Sequence, residues 1–411
     1  MAALAMVLNE DIASIEPGQP PTTYEAFEAY AEGLEAYQRD WAEAARHFER
    51  AAVADPTFHR AAIWAALSYL LVAYMTDDWP IMLKAESLIA TLEESREELS
   101  PYERCYLDFV IAAGIRPSTP GHYEAVRCMV REAPGSDNAK RELALALGRV
   151  NRPAEEIQVL KQLDPDRGLM KRSGAEYWMN LSYAYHILGD HERELEAARR
   201  GRQRFPGSAR MLQHEAIALA ALDRLEEVAE VVEAMRALPA PDSLGARLLA
   251  VAAELRVHGH RDEAQEVVDQ AIAWLRRRPE RRAELGWALY QAERWDAAHQ
   301  QFEQLSEEDP EATGYLAALG LLAARRGDRA EAERISEQLR TSGNRMQKEV
   351  HIKSRARIAA VLGERAEAMT LLREEFDMAP NWDGYMLVHS DIDFESLHDY
   401  PPFQEFMRPK G

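Results

Sequence analysis

The sequence is poor in cysteine. Only two of its 411 residues are cysteines, Cys105 and Cys128, and neither CxxC spacing nor a histidine at metal-ligand spacing accompanies them. We therefore expect two small residues, buried or half-buried within one helix pair, and no metal site. So low a count also fits a reducing compartment, which together with the N-terminal pattern below predicts a cytoplasmic protein.

Long apolar runs are also missing. The first eight residues are apolar, but no lysine or arginine precedes them and Asn9 ends the run. A signal peptide needs a basic start and a longer apolar stretch, and a membrane-spanning helix needs about 20 apolar residues. The pattern predicts neither.

Basic charge is scarce. Lysine and arginine number 49 against 70 aspartates and glutamates, so the formal net charge is −21. Such a surface repels nucleic-acid backbones and anionic membranes. The densest basic clusters, at 199–204 and 276–282, fall at predicted helix ends, where cations complement the helix dipole. The charge therefore predicts no nucleic-acid partner and no membrane partner.

No catalytic signature is present. GxxxxGK[ST], GxSxG, HExxH and GxGxxG after a strand are all missing from the sequence. His258 and His260 flank a turn glycine and are predicted to be solvated loop residues. The acidic residues at 391–395 lack the glycine and the bidentate glutamate of a calcium loop. We therefore expect no enzyme, no catalytic residue, no metal and no cofactor.

Helix formers and apolar residues are plentiful, and they recur in a repeated unit. Apolar residues make up 47% of the chain, which is enough for a packed core. In one clear unit Trp178 and Tyr185 lie on one helical stripe, Gly189 makes a turn, Ala198 lies on a second helix and Pro206 ends the unit. The pattern predicts two antiparallel helices joined by a short turn.

The same unit recurs in register along the second half of the chain. The positions equivalent to Trp178 follow at intervals of 34, 36, 34, 34 and 36 residues, at Leu212, Leu248, Arg282, Leu316 and Ile352. Small residues recur on the second helix, where they allow close helix approach, at Ala264, Ala298, Ala332 and Ala368. One pair cannot bury its apolar face alone, so the units are expected to stack.

These residues and their period resemble the tetratricopeptide repeat. The resemblance implies an all-α fold: a right-handed α-solenoid of about ten tetratricopeptide-like helix-turn-helix pairs with a C-terminal cap. Residues 20–60 also resemble the start of the tetratricopeptide region in bacterial multidomain regulators, where such arrays follow a kinase, a cyclase or a winged-helix domain. The resemblance covers nearly the whole chain, but it specifies fold far better than function.

Spacing along the chain predicts five segments. Residues 1–22 form an N-terminal segment or linker, 23–95 hold units one and two, and 96–170 hold two less regular units. Residues 171–380 hold the six regular units, and 381–411 form a cap over the last apolar face.

The groove lined by the first helix of each pair is the predicted binding surface. Aromatic residues supply large contact area at low entropic cost, which makes them good anchors for a peptide. The predicted groove residues are Tyr30, Tyr37, Tyr69, Met179, Asn180, Tyr183, His186, Gln213, His214, Trp287 and Tyr290. The alternative is that these rings pack against the next helix pair and are structural, which we favour for Tyr69.

The sequence therefore predicts a non-enzymatic scaffold that binds a protein or peptide partner. The groove mostly lacks the lysine, asparagine and arginine of the two-carboxylate clamp that chaperone-binding relatives use. We therefore expect an apolar or mixed extended segment, or an amphipathic helix, as its ligand. A ligand-sensing regulatory module is the alternative, and an enzyme with a site in 96–170 is a second one. A monomer is favoured, although both ends of an array can stack.

Overall fold

The computed structural model describes residues 20–37, 39–166, 174–239, 243–343, 347–378 and 384–411. Most of the predicted N-terminal segment 1–22 lies outside the described residues, as do the predicted boundaries at 170/171 and 380/381. Two compact units divide the chain. Unit 1 is Met1–Tyr177 with Asp377–Trp382, and unit 2 is Trp178–Phe376 with Asp383–Gly411.

Within the described residues all regular elements are helices. Unit 1 contains α1 (Tyr24–Ala36), α2 (Trp41–Ala54), α3 (His59–Thr76), α4 (Trp79–Glu94), α5 (Pro101–Val110), α6 (Thr119–Glu132), α7 (Asp137–Arg149) and α8 (Pro153–Leu160). A π-helical turn, Ile111–Ile115, extends α5. No described helix combines the length and the apolar character that crossing a bilayer requires.

Unit 2 continues the helix pairs and adds a C-terminal segment. Its elements are α9 (Glu176–Ile187, from Trp178 on), α10 (His191–Arg204), α11 (Ala209–Ala221), α12 (Leu225–Arg236), α13 (Leu244–Val257), α14 (Arg261–Leu275), α15 (Arg282–Gln291), α16 (Trp295–Glu308), α17 (Thr313–Arg325), α18 (Arg329–Thr341), α19 (Lys348–Val361), α20 (Arg365–Met378), α21 (Gly384–Ser390), a 3₁₀ helix (Ile392–Leu397) and α22 (Pro401–Met407). Among the described residues, helices α1 to α20 form ten pairs in chain order, which confirms the predicted all-α fold.

The turns inside the pairs hold the register of the repeat. One residue in each of eight turns adopts a left-handed backbone, four times a glycine and four times an aspartate, asparagine or glutamate: Asp77, Asn151, Gly189, Asp223, Gly259, Glu293, Gly327 and Gly363. From Gly189 onward the spacings are 34, 36, 34, 34 and 36 residues, which match the predicted intervals. Glycine adopts this backbone without the steric cost that a side chain adds.

Close helix approach depends on small residues that face rings. A Cβ atom at Gly33 would lie 2.6 Å from the ring of Phe48, and one at Gly286 would lie 2.7 Å from the ring of Phe302. Both rings are fully buried. Each glycine therefore makes room for the aromatic residue of its partner helix, as the repeat pattern predicts.

The less regular region 96–170 is helical throughout its described part. A capping box between Ser100 and Glu103 starts α5. Ser118 caps α6, which begins at Thr119 and runs for 14 residues. Cys105 and Cys128 lie in this one helix pair, as expected, but they are joined by a disulfide, which was not.

Candidate functional site: the first-helix face of unit 2

The C-terminal segment, Gly384–Tyr400, packs along the first helices of the pairs in unit 2. We call the surface that α9, α13, α15, α17 and α19 present to it the first-helix face. The Met386 backbone N–H donates to the Tyr183 hydroxyl of α9 at 3.3 Å. Ile392 belongs to the apolar core formed by α10–α19, and Met386 packs against that core. The predicted cap therefore reaches well beyond the last helix pair.

The last helix does cover the last pair. The Phe406 ring of α22 packs 4.9 Å from the Phe376 ring of α20, centroid to centroid. Tyr385 lies 4.7 Å from the same ring. The C-terminal residues therefore have two roles. They cover the last helix pair, and they also pack along the first helices of earlier pairs.

A buried carboxylate holds the middle of the C-terminal segment. Asp393 is fully buried and accepts hydrogen bonds at 2.6 Å from the Tyr290 hydroxyl and from Arg325 Nη2. Arg357 Nε lies 2.9 Å from its other oxygen and 3.1 Å from Asp391. Charge-assisted hydrogen bonds of this kind are roughly twice as strong as neutral ones. Helices α15, α17 and α19 thus converge on one aspartate.

Further charge pairing continues along the segment. Arg256 Nε of α13 donates to Glu395 Oε1 at 2.5 Å. Arg325 Nη2 also donates to the Ile392 carbonyl at 2.9 Å. The first-helix face therefore presents arginines to alternating acidic and apolar residues, at 391–395.

Trp287 lies beside this network rather than in open solvent. The Arg357 guanidinium stands 5.3 Å from the Trp287 ring centroid, and the Phe302 ring lies 5.1 Å from it. The Trp287 side chain is half-buried, while Tyr290 is buried. Burial, reinforced by the charge of Asp393, raises the pKa of Tyr290 well above its usual range.

Histidines and glutamates gather where α9, α10, α13 and the C-terminal segment meet. His186 Nδ1 lies 3.1 Å from both carboxylate oxygens of Glu194, and His191 Nδ1 lies 2.8 Å from Glu194 Oε2. On its other side His186 Nε2 is 3.7 Å from Glu254 Oε1. The ring of His389, in α21, is centred 6.0 Å from that of His186.

His258 and His260 flank the turn glycine, as predicted, but both side chains are half-buried rather than solvated. The His258 side chain is 25% exposed, and its Nε2 lies 2.9 Å from Glu254 Oε1. The fold places His258 against α13 because the turn that holds it follows Glu254 by one helical turn. His260, across the turn glycine, instead meets Asp223 at 2.7 Å.

The pKa values of His186 and His389 are shifted in opposite directions. Burial opposes the charged form of His186, but the charge and hydrogen bond of Glu194 outweigh it and raise the pKa of His186 to about 9. Burial lowers the pKa of His389 to about 4. At neutral pH His389 is uncharged.

The remaining predicted residues of unit 2 line α9 and α11. Met179 and Asn180 are half-buried. Gln213 Oε1 accepts from Arg247 at 3.0 Å. His214 is buried, its Nδ1 has no hydrogen-bond partner among the described residues, and burial lowers its pKa to about 4.

The predicted residues of unit 1 lie in its interior. Tyr30 is 1% exposed and packs 5.0 Å from the Phe58 ring. Tyr37 packs edge-on to Trp64 at 4.9 Å. Tyr69 donates to Glu49 at 2.7 Å and accepts from Lys84 at the same distance. These positions favour a structural role over contact with a partner, as weighed above for Tyr69.

Two arginines of the first-helix face, Arg256 and Arg325, were missed at the sequence level. Arg256 and Arg325 stand at the C-terminal ends of their helices, where a cation is ordinarily explained by the helix dipole. Their partners lie 139 and 68 residues away in the chain. Only the alternation of acidic and apolar residues at 391–395 offered a signal.

The described residues form ten helix pairs, and the six pairs from Gly189 onward keep a 34- to 36-residue register, which defines this fold as tetratricopeptide-like. Comparison with known proteins found no matching family model and no matching curated protein. Among solved structures the chain is similar to yeast Tom70, with 11% identity, a TM-score of 0.39, and coverage of 99% of this chain and 94% of that one.

Two further structures share this level of similarity. Cut9 in the APC/C hetero-tetramer Cut9–Hcn1 has 14% identity and a TM-score of 0.34 over 94% of this chain and 80% of that one. Human IFIT1, in a dimer with PPP-AAAA, has 14% identity and a TM-score of 0.35 over 76% and 71%. At these scores no property of theirs transfers to this chain.

Proposed function

We propose that this chain is a non-enzymatic scaffold whose first-helix face binds a peptide or helix of a partner protein. The observation that carries the proposal is that this face already holds a segment of the chain itself, residues 384–400, as a short α-helix followed by a 3₁₀ helix. It holds it through a buried aspartate, three arginines and apolar contacts. A surface that binds one such segment has the chemistry to bind another of the same kind.

Charge and spacing define the partner's chemistry. Asp391, Asp393 and Glu395 alternate with Ile392 and Phe394, and Phe394 is fully buried. Arginine pairs with carboxylates in a fixed planar geometry, which selects for acidic residues at that spacing. The ligand is therefore an acidic–apolar segment that takes the place of residues 384–400.

A regulatory module is the second candidate, and one observation favours it. Because the C-terminal segment occupies the face, a partner binds there only by displacing it, so binding is coupled to a conformational change. The resemblance to bacterial multidomain regulators agrees with such a switch. We do not extend the proposal to a cytoplasmic location, because a disulfide such as that between Cys105 and Cys128 is rare in reducing compartments.

Site-specific photo-cross-linking in the native cells tests the scaffold. A photoreactive residue replaces Asn180, which is half-buried on α9, and mass spectrometry identifies the cross-linked segments. A matched control carries the same group at Glu230, which is exposed on the second helix α12. We expect a partner segment rich in acidic and apolar residues at position 180 only.

Competition then decides between specific and incidental contact. A synthetic peptide of residues 384–400 should abolish the cross-link, and a scrambled peptide should leave it intact. Cross-links at position 180 that reach only this chain's own C-terminal segment, or that resist the peptide, would contradict the proposed function.

A further inference from the structure

The histidine and glutamate side chains of unit 2 bring three potential ligand atoms together. His186, Glu254 and His389 each offer one such atom, and the three lie within 4.8 Å of one another. Zinc-bound nitrogen and oxygen atoms at 2.0–2.2 Å from the ion lie roughly 3.3–3.6 Å apart in a tetrahedron. The 3.7 Å between His186 Nε2 and Glu254 Oε1 is already close to that spacing.

A buried carboxylate oxygen at this place lacks a partner. Glu254 is 1% exposed, and its Oε2 has no hydrogen-bond partner among the described residues. Leaving a buried charged acceptor unsatisfied is costly, and such groups in folded proteins ordinarily pair or coordinate a cation. Oε1 is already shared between His258 and His186. Oε2 is therefore the oxygen left for an additional ligand.

Glu194 supplies the support that a metal-binding histidine needs. It is buried on α10 and hydrogen-bonds Nδ1 of His186 and Nδ1 of His191. A carboxylate on Nδ1 holds the ring in place and leaves Nε2 as the coordinating nitrogen. In His186 that nitrogen is the one that faces Glu254.

From this geometry we propose that His186, Glu254 and His389 bind a divalent transition-metal ion of the Zn²⁺ type. Imidazole nitrogen with one carboxylate suits zinc, whereas magnesium and calcium prefer all-oxygen ligands. The fourth position falls to water or to His258, whose Nε2 lies 2.9 Å from Glu254 Oε1. The ion replaces a proton on His186, which passes to solvent.

The site would fasten the C-terminal segment to the helices. His186 comes from α9 and Glu254 from α13, while His389 comes from α21. A metal ion bound by all three therefore joins the segment to two first helices. Binding stabilises the state that contains the site by mass action, so the ion favours the docked segment.

The competing explanation needs no metal. In it, protonated His186 bridges the Glu194 and Glu254 carboxylates as an imidazolium. That arrangement predicts no stoichiometric binding of transition metals, so the two explanations differ in a direct measurement.

Titration of the full chain with Co²⁺ and Zn²⁺ tests the site. The protein is first treated with a chelator, and affinity is measured in competition with a chromophoric chelator. We expect one equivalent to bind tightly, with a tetrahedral Co²⁺ absorption spectrum and no thiolate charge-transfer band. Glu254→Gln and His389→Ala should each weaken binding by at least about 100-fold. His260→Ala, which changes a histidine paired with Asp223 outside the group, should leave it unchanged.

Hydrogen exchange tests whether the bound ion also holds the C-terminal segment against the helices. Zn²⁺ should slow backbone exchange of residues 384–398 in the wild type and not in Glu254→Gln, with circular dichroism confirming that the variants are folded. Weak, multi-site binding by the wild type, or equal binding by Glu254→Gln, would overturn the site whether or not His389→Ala folds. Tight metal binding without slower exchange of residues 384–398 would show that the ion does not fasten the C-terminal segment.

Discussion

At the scale of single residues, Asp393 joins three side chains from three helices of unit 2. Tyr290, Arg325 and Arg357 all reach one fully buried carboxylate. Breaking a buried ion pair by removing one partner leaves the other charge without compensation. The energetic effect of this residue therefore exceeds that of any exposed ion pair in the same segment.

We expect Asp393→Ala to lower the free energy of unfolding by about 3–5 kcal/mol. Asp399 pairs with Arg365 at 3.0 Å in the same segment but is 77% exposed, so Asp399→Ala should cost less than about 1 kcal/mol. Urea unfolding monitored by circular dichroism measures both. Equal losses in the two variants would show that the buried network contributes little.

In unit 1 Asp55 is the residue whose titration matters for stability. Burial opposes its charged form, but hydrogen bonds from Thr22 and Thr57 at 2.6–3.1 Å lower its pKa from 3.8 to about 2. A lowered pKa means that the folded state binds the proton more weakly than the unfolded chain does. The stabilisation is therefore complete above the unfolded pKa, and it is lost as the pH falls from about 4 through about 2.

Asp55→Asn should consequently destabilise the protein by about 2 kcal/mol at neutral pH, and by progressively less as the pH falls below about 4. Urea titrations across this pH range measure the difference from wild type. The exposed Asp309→Asn variant is the control and should show no such trend. A loss of stability in Asp55→Asn that does not change with pH would contradict this. It would mean that the asparagine side chain destabilises the protein through its hydrogen-bonding geometry and not through the missing charge.

At the scale of elements, the packing of a helix pair depends on glycine at the positions where one helix faces a ring of the other. Gly286 in α15 faces the buried Phe302 ring of α16, whereas Gly314 in α17 has nothing within 4 Å of a built Cβ. The same chemical change at these two helical glycines should therefore have opposite signs.

Gly286→Ala should destabilise by about 1–3 kcal/mol, because the ring cannot move away within a packed core. Gly314→Ala should stabilise by about 0.5–1 kcal/mol, because alanine is the better helix former. Thermal unfolding of both variants is the measurement. Stabilisation by Gly286→Ala would show that the α15–α16 contact is looser than the structure has it.

At the scale of the whole molecule, the sequence was enough to predict the repeat. It was not enough to predict that the C-terminal segment packs on the first-helix face. The register from Trp178 to Ile352 depends on residues within one 34- to 36-residue unit, so local pattern was enough to fix it. The contact between Asp393 and Tyr290 joins residues 103 apart, and that between Met386 and Tyr183 joins residues 203 apart. No periodicity encodes such pairs, which is why the sequence did not indicate that histidines gather around Glu254.

Docking of the C-terminal segment should change the order in which the helices of unit 2 unfold locally. A repeat array with only neighbour contacts frays from its ends. Because the segment joins α9 to α19, we expect α19 to exchange its backbone protons with nearly the protection of α13 in the wild type. Native-state hydrogen exchange should show α19 losing protection first in Asp393→Ala. Early loss of α19 in the wild type as well would contradict this.

The contact between Tyr183 and Met386 also sets an order of events during synthesis. A ribosome adds about 5–20 residues per second, so the 203 residues between them take roughly 10–40 s to make. For that time the nascent first-helix face stands without the segment that later covers it. The newly made chain therefore exposes this surface to other molecules before its own segment arrives.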